Sequence, residues 1–399
     1  MGRGSIELRD GIHWVGARDP EMRLFDLIMH TEHGTSYNAY LVRGSKHTAL
    51  IEMVKQGFEA SLLDNIREVM EPREIDFIVC NHTEPDHTGA LAALLEAAPR
   101  ATLVATGRGA HFLGEQQNRE LAITKVKAGD SLDLGGRTLS FVPAPFLHWP
   151  DSMFTYLEED HILFSGDVFG AHFCPPPGVI TDDAPGIATE ALHKATRHYY
   201  LTIMAPFAGH LQKGLAKLDG LTLAMLCPSH GPVRRADVQG LVELHRDWAT
   251  PRSAPLAVVF YASIYGHTKQ LAEAVARGLE ERGVPTTLLD LESADPWTVL
   301  HTSWEADIIA VGSPTLNGGP APHAAAVLAG LDPHRAKGKR FLAFGSYGWS
   351  GEAVSLLTER AAALKMTTID SPPLRVIFAP TKEDLAQATE AGHRLSDPS

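Results

Sequence analysis

The chain has 399 residues, enough at roughly 100–200 residues per domain for two or three domains, each with its own core. Hydrophobic residues at 44% and charged residues at 21% are the proportions of a soluble globular protein, and no stretch approaches the roughly 18 unbroken apolar residues of a membrane span. With 35 Lys and Arg against 48 Asp and Glu, the net charge of −13 opposes phosphate backbones and excludes nucleic acid as the main partner.

The opening residues, MGRGSIELRDGIHWV, lack the apolar stretch of a signal peptide, so the expected compartment is the cytoplasm. Cys80, Cys174 and Cys227 are far apart and form no CxxC pair, which excludes a disulfide framework, a zinc ribbon and a built-in rubredoxin. Histidine is abundant at twenty residues, and imidazole is the commonest transition-metal ligand.

In chain order, FEASLLDNIREVM (58–70) and GALAALLEAAPR (89–100) carry helical periodicity. Around them, 75–80, 101–107, 125–145 and 154–167 are short β-rich runs broken by Gly or charged turns, which predicts layered α and β structure. The run IDFIVC (75–80) leads straight into NHTEPDHTG, which places His82, Glu84, Asp86 and His87 within six residues after a strand end. Extended backbone sends side chains at spacing two to one side. His82 and Glu84 can therefore share one ion, and Asp86 and His87, one turn on, face a second. Alone, the run also reads as an exposed polar turn with Asp86 capping a helix over 89–98.

Single His or Asp residues close three later apolar runs: His148 in FVPAPFLHWPDSM, Asp167 in HILFSGDVFG and His230 in LAMLCPSHGP. Each has its own structural reading, a half-buried imidazole or a turn aspartate. Together the seven residues supply four imidazoles and three carboxylates, enough for two ions. A shared carboxylate holds such ions roughly 3.5–4 Å apart, and Asp167 is the expected bridge. The remaining histidines, His13, His33, His111, His172, His193 and His245 among them, show no such grouping and are expected mostly at the surface or in the core.

The ordering resembles the metallo-β-lactamase-like superfamily, whose binuclear hydrolases carry H-x-H-x-D-H followed by spaced His, Asp and His. Glu84 stands where the second histidine would be, and its hard anionic oxygen favours iron over zinc. With a bridging hydroxide, three carboxylates nearly balance two ferrous ions.

ATPRSAP (249–255) favours an extended connector, so the expected organisation is 1–250, a linker at 251–255, and 256–399. Beyond it, strand LAVVFYAS (256–263), helix TKQLAEAVARGLEERG, strand PTTLLDLE and, after a short crossover, strand ADIIAVGSP (306–314) begin a strict alternation. Strand KRFLAFGSY (339–347), helix GEAVSLLTERAAALK, a last strand and helix TKEDLAQATEAGHRL complete it. Apolar strands joined by helical crossovers predict a five-stranded parallel, doubly wound sheet.

Three loops leave the carboxyl ends of these strands, where such sheets bind ligands. The first holds Ser263, Ile264, Tyr265, Gly266, His267 and Thr268, small hydroxyls around a glycine turn that opens a helix and so cradles a phosphate. The second brings Ser313, Pro314, Thr315, Asn317, Gly318 and Gly319. The third brings Ser346, Tyr347, Gly348 and Trp349, whose aromatic faces suit an isoalloxazine ring. No G-x-G-x-x-G and no G-x-x-x-x-G-K-[ST] occurs at the first loop, which points to a mononucleotide. The three loops resemble flavodoxin, which binds FMN.

A lactamase-like αββα sandwich with H-x-E-x-D-H, followed by a flavodoxin-like domain, resembles the flavodiiron proteins, also called rubredoxin:oxygen oxidoreductases, over nearly the whole chain. The resemblance implies two non-haem iron ions. It puts His82, Glu84 and His148 on the iron nearer the flavin, Asp86, His87 and His230 on the other, and Asp167 between them. Phe25, Tyr199 or Tyr200 would shape the gas pocket, near the stretches 34–40 and 199–207. Departures from the family's flavin loops are His267, where asparagine is more usual, and Ser350, where glycine is frequent. The implied activity is reduction of dioxygen to water, nitric oxide to nitrous oxide, or both. Two ferrous ions and reduced FMN together hold the four electrons that dioxygen needs. The implied assembly is a head-to-tail homodimer or a dimer of dimers, with electrons from a separate donor such as rubredoxin or a flavin reductase. Two other readings stay open on sequence: a dinuclear zinc hydrolase with an appended flavodoxin domain, and a non-enzymatic FMN electron carrier.

Overall fold

In the computed structural model the described residues are 4–26, 29–251, 253–331, 333–369 and 373–397. The chain divides into two compact units, Met1–Pro251 and Arg252–Ser399. Of the expected linker 251–255, Arg252 lies outside the described residues.

The first unit is built on two sheets. One has seven strands in the order Ile6–Arg9, Ile12–Trp14, Tyr40–Arg43, Thr48–Ile51, Phe77–Val79, Thr102–Thr106 and Ile123–Val126, antiparallel over the first four and parallel from there on. The other has five: Ser131–Asp133, Thr138–Pro143, Met153–Leu157, Ile162–Gly166 and Met225–Pro228, with only the last pair parallel. Alternate residues pack between the sheets. Tyr40, Val42, Ala49, Ile51 and Val79 from one meet Leu139, Phe141, Met153, Phe164 and Cys227 from the other in a single apolar cluster. Leu41, Leu50 and Ile78, on the opposite face of the first sheet, are also fully buried, because amphipathic helices such as Glu59–Arg67 turn Leu62 and Ile66 inward. Strands buried on both faces read as continuous apolar runs, and the helix-flanked sandwich is the layered α and β structure that the family resemblance implies.

The second unit is a parallel sheet in the order Thr286–Asp290, Ala257–Tyr261, Ile308–Gly312, Arg340–Tyr347. The fifth position is shared by two short strands, Thr367–Thr368 beside Arg340–Phe341 and Leu374–Ile377 beside Phe344–Tyr347. Ala257, Val259 and Tyr261 face the helices His267–Glu281 and Lys382–Ser396, while Val258, Phe260 and Ala262 face Pro322–Ala329 and Ala353–Ala363. Helices on both faces make the sheet doubly wound. The expected short crossover before the third strand contains a ten-residue helix, Pro296–Glu305, started by Asp295, whose side chain accepts from the Thr298 amide. Its Trp-rich face masks the usual apolar periodicity.

Candidate functional site

Strand ends converge at one edge of the sandwich. Asn81, the first residue after the Phe77–Val79 strand and Cys80, ties the two sheets together: its carbonyl accepts from Met153 N at 2.9 Å, its amide nitrogen donates to Phe164 O at 3.1 Å, and Thr155 Oγ1 donates to its Oδ1 at 2.6 Å. The backbone of the following loop is thereby fixed before any functional side chain begins. Pro85 then opens a one-turn helix, Pro85–Thr88, with Glu84 at its N-cap position. Asp86 lies inside that turn, not at the cap of the next helix, which runs Leu91–Ala97.

All seven predicted ligands meet. Three groups of potential metal ligands form, with their ligand atoms within 4.8 Å of one another: His82, Glu84 and His148; His82, His87 and Asp167; Asp86, His87 and His230. Glu84 Oε2 lies 3.1 Å from His82 Nε2 and 3.0 Å from His148 Nε2, and Asp86 Oδ2 lies 3.1 Å from His230 Nε2. Asp167 divides its carboxylate between the two sides. Oδ2 is 3.6 and 3.5 Å from Nε2 of His82 and His148, and Oδ1 is 3.2 and 3.6 Å from Nε2 of His87 and His230.

Every imidazole turns Nε2 inward, and three have a partner at Nδ1. His230 Nδ1 donates to the Ser36 carbonyl at 2.8 Å, and His87 Nδ1 donates to Glu52 Oε2 at 2.9 Å. His82 Nδ1 faces Asp151 Oδ2 at 3.4 Å, the same oxygen that accepts from the Thr83 amide and hydroxyl at 2.8 Å. An acceptor at Nδ1 fixes the tautomer and leaves the Nε2 lone pair for a metal. Glu52 reaches two residues further, since its Oε1 also accepts from the amides of Asn81 and His82 at 2.6 and 3.2 Å.

Burial opposes charge on all these groups, yet they shift one another the other way. His87 with His148 holds Asp167 well below the ordinary carboxylate range, and His87 with His230 lowers Asp86. In return Asp167 and Glu84 raise His148 to about 10 despite its burial, and His82 and His87 are raised likewise. Asp86 Oδ1 and Asp167 Oδ2 are buried without a hydrogen-bond partner. A buried cluster of mutually charged carboxylates and imidazoles with two acceptor oxygens unmet is chemically suited to cations that displace the imidazole protons. Mixed imidazole and carboxylate donors fit iron.

Tyr199 and Tyr200 part company at the junction where the helix Thr189–Tyr199 widens into the π-helical turn Tyr200–Met204. The Tyr199 hydroxyl donates to Asp167 Oδ1 at 2.8 Å, whereas Tyr200 turns away and donates to the Trp248 carbonyl at 2.6 Å. Of the expected pocket residues, Tyr199 and Phe25 are therefore at the cluster; the Phe25 ring lies 5.7 Å from that of His230. His172, expected among surface or core histidines, also belongs here, its ring 5.6 Å from His230 and 4.9 Å from Tyr199. Burial and His230 push its imidazole down to about 3. Glu52, Asp151 and His172 are neighbours of the cluster that sequence reasoning missed, and Tyr37 lies in the stretch 34–40 that it placed near the site without naming the residue.

In the second unit, Gly266 takes φ +82° at the start of the fifteen-residue helix His267–Glu281, a conformation favouring glycine, and a Cβ there would meet nothing within 4 Å. Ser263 Oγ accepts from Lys269 N at 3.3 Å, and the hydroxyls of Thr268 and Ser346 pair at 3.0 Å, which brings the first and third loops together. The second loop is a small hairpin, Thr315–Leu316 against Gly319–Pro320, turned by Asn317 at φ +52° and Gly318 at φ +76°. Ser313 Oγ and Thr315 Oγ1 accept from the amides of Ala321 and Ala353. Trp349 is 97% exposed and Tyr265 83%, with Ile264, Ile377 and Phe378 exposed as well. Phe378 N donates to the Tyr347 carbonyl at 2.8 Å, which places the end of the split fifth strand beside the third loop. Open aromatic faces around a helix N-terminus fit FMN.

Residues 35–231 match the family model described as ODP family beta lactamase, and residues 259–392 match the flavodoxin model. Flavo-diiron protein FprA2 of Clostridium acetobutylicum is 37% identical over 396 residues, covering 97% of this chain and 98% of the relative. A nitric oxide reductase of Moorella thermoacetica is 35% identical over 395 residues, covering 98% of each. Among solved structures, the rubredoxin oxygen:oxidoreductase of Desulfovibrio gigas superposes with a TM-score of 0.83 at 31% identity, covering 98% of each chain. Aligned nearly end to end with these relatives, the chain belongs to the flavodiiron protein family.

Proposed function

We propose that the protein is an oxidoreductase that reduces dioxygen and nitric oxide, with iron held by His82, Glu84 and His148 on one side, by Asp86, His87 and His230 on the other, and by Asp167 between them. The observation that carries this reading is the division of the Asp167 carboxylate, with one oxygen directed to each set of imidazoles. Glu84 adds a second, because its oxygen serves where a hydrolytic zinc centre uses imidazole. When bound, iron held by these residues and FMN at the flavin loops would supply the electrons for reducing the gas.

The chain's own residues do the rest. Glu52, Asp151 and the Ser36 carbonyl hold three imidazoles with Nε2 facing inward. Tyr199 donates to Asp167 and so limits how freely that carboxylate can turn. Phe25, 5% exposed, gives the cluster an apolar wall that admits small uncharged gases and excludes bulk water. Ser263, His267 and Thr268 at the helix start bind the FMN phosphate, and Tyr347 and Trp349 flank its ring. The names of relatives support both gases: the Desulfovibrio protein is an oxygen oxidoreductase that uses rubredoxin, and the Moorella protein is a nitric oxide reductase. A rubredoxin-like carrier is the proposed electron donor.

The apolar rim at the flavin loops, Tyr265, Trp349, Ile377 and Phe378, supports a homodimer in which this rim meets a second copy. Three free cysteines, two of them buried, accord with a reducing cytoplasmic compartment, and no helix among the described residues is long and apolar enough to cross a membrane.

Anaerobic reduction followed by separate mixing with dioxygen and with nitric oxide tests the reading, with flavin and iron oxidation followed optically. Oxidation of both centres by either gas is expected. Purified protein that carries zinc, cannot be loaded with iron and consumes neither gas overturns it.

A further inference from the structure

The mechanism above leaves two buried polar atoms unused on the His230 side of the cluster. Tyr37 is 1% exposed and His172 is 2% exposed. Both rings lie against the His230 ring, with centroids 5.7 and 5.6 Å away. Phe25 covers His172 at 4.2 Å, Tyr199 meets it at 4.9 Å, and Phe58 backs Tyr37 at 5.1 Å. In this aromatic enclosure, Tyr37 Oη and His172 Nε2 have no hydrogen-bond partner. Buried polar atoms are nearly always paired, so two orphans on rings packed against the proposed ligand His230 point to a missing partner.

The character of that ligand follows from the donors. Asp86 Oδ1 and Asp167 Oδ2, the neighbouring orphans, are acceptors and suit a cation. A tyrosine hydroxyl buried among aromatics instead offers a proton. For His172, Nδ1 lies 3.1 Å from Thr35 Oγ1, whose only other acceptor contact, the Ser36 carbonyl, is longer at 3.4 Å. The single Thr35 hydroxyl proton serves the shorter contact, which leaves the hydrogen of the neutral ring on Nε2. Two donors therefore sit on residues packed against the ring of one proposed ligand, His230. At the other position the His82 ring meets Trp149 at 5.2 Å.

We infer that Tyr37 and His172 form a donor pair that holds a small oxygen or nitrogen anion, of the hydroxide or azide class, at the metal position of Asp86, His87 and His230. This rests on the metal assignment proposed above, and it makes the two iron positions unequal toward external ligands. One side binds the anion through metal plus two donors, and the other through metal alone.

Azide is the probe, titrated into the oxidised, iron-loaded, FMN-containing full chain and followed by its charge-transfer absorption, with iron per chain measured on the same samples. Tyr37→Phe and His172→Phe are each expected to weaken azide binding by about ten-fold, the loss of one hydrogen bond to a charged ligand. His172→Gln, which keeps a donor, is expected to stay within about three-fold of the parent on the same ground. Full iron content with parental azide affinity in both Phe variants overturns the inference and leaves the metal assignment standing. Failure of the parent chain itself to take up iron overturns both. If His172→Phe does not fold, Tyr37→Phe decides alone, since it removes one oxygen and no volume from the core.

Discussion

Replacing Glu52 by Gln isolates the contribution of imidazole orientation to the proposed centre. Glu52 sits in the left-handed region at φ +62°, directly after the strand Thr48–Ile51, and is 2% exposed. Its two oxygens accept three hydrogen bonds, from Asn81 N, His82 N and His87 Nδ1. All three partners are donors. A glutamine keeps one oxygen, and its amide group must then oppose either the two backbone N–H groups or the imidazole N–H. Each bond to a charged group contributes about 1.5–3 kcal/mol, so one lost bond and one donor–donor conflict should destabilise the first unit by about 2–4 kcal/mol. The backbone pair holds two of the three bonds, so the amide is expected to turn toward His87 and release that ring. Changes of this kind at a ligand's outer partner lower metal affinity by about 10–100-fold. The loss should fall on the position of Asp86, His87 and His230. Ferrous titration with a competing chelator is expected to give two strong sites in the parent and one strong plus one weakened site in Glu52→Gln. Two unchanged sites in a folded variant would refute the orientation argument.

Two further perturbations test other parts of the structure. His245 is buried against Phe169, Tyr200 and Trp248, and burial, with Arg234 and Arg197 adding to it, lowers its imidazole to about 3 from 6.5. A depressed histidine contributes stability above its unfolded value that is lost as pH falls, so at pH 4.5 this group alone should destabilise the fold by about 2–3 kcal/mol. Urea unfolding at pH 7 and pH 4.5 is expected to show a smaller acid loss in His245→Phe than in the parent. Trp349→Ala removes a side chain that is 97% exposed, so the thermal midpoint of the metal-loaded, flavin-free protein should not change, while FMN binding measured by flavin fluorescence should weaken by about ten-fold, as for a lost stacking contact of about 1 kcal/mol or more.

Sequence carried the parts of the site in which residue type and position suffice. The run His82 to His87 is contiguous, Asp167 and His230 come within two residues of the ends of the apolar strands Ile162–Gly166 and Met225–Pro228, and His148 closes an apolar run that continues past the strand Thr138–Pro143. The supporting groups lack such a signal. Glu52 follows the apolar run TALI and reads as a strand residue until its backbone turns left-handed. Asp151 follows Trp149-Pro150 and reads as a turn. Tyr37 and His172 reach the centre through contacts that span long stretches of chain, as the 137 residues between Thr35 and His172 illustrate. Tyr199 and Tyr200 are adjacent, and only the phase of the helix entering its π-helical turn decides which one faces Asp167. At the flavin loops the glycines and aromatics were legible. Ile377 and Phe378 were not, because the fifth strand position is split and its second half is only Leu374–Ile377.

The supporting groups come from both sheets and the loops between them, so metal binding and folding of the first unit are one equilibrium. Ser36 lies in the strand Thr35–Tyr37, Glu52 follows a strand of the seven-stranded sheet, and Asp151 precedes a strand of the five-stranded sheet. The buried oxygens Asp86 Oδ1 and Asp167 Oδ2 have no hydrogen-bond partner, so the contacts from Glu52, Ser36 and Tyr199 leave part of the cluster unmet. Two ions, each supplied at a thousand times its Kd, stabilise the folded state by about 8 kcal/mol. For a unit of this size that corresponds to roughly 16–32 °C in Tm. Calorimetry of chelated and iron-loaded protein at constant FMN should show the transition of the first unit moving by that amount while that of the flavodoxin-like unit stays in place. The second unit carries none of the seven ligands, which makes it an internal control. A first-unit transition insensitive to iron would mean that the seven residues are held by protein contacts alone, and the division of Asp167 between two imidazole sets would then lose its functional meaning.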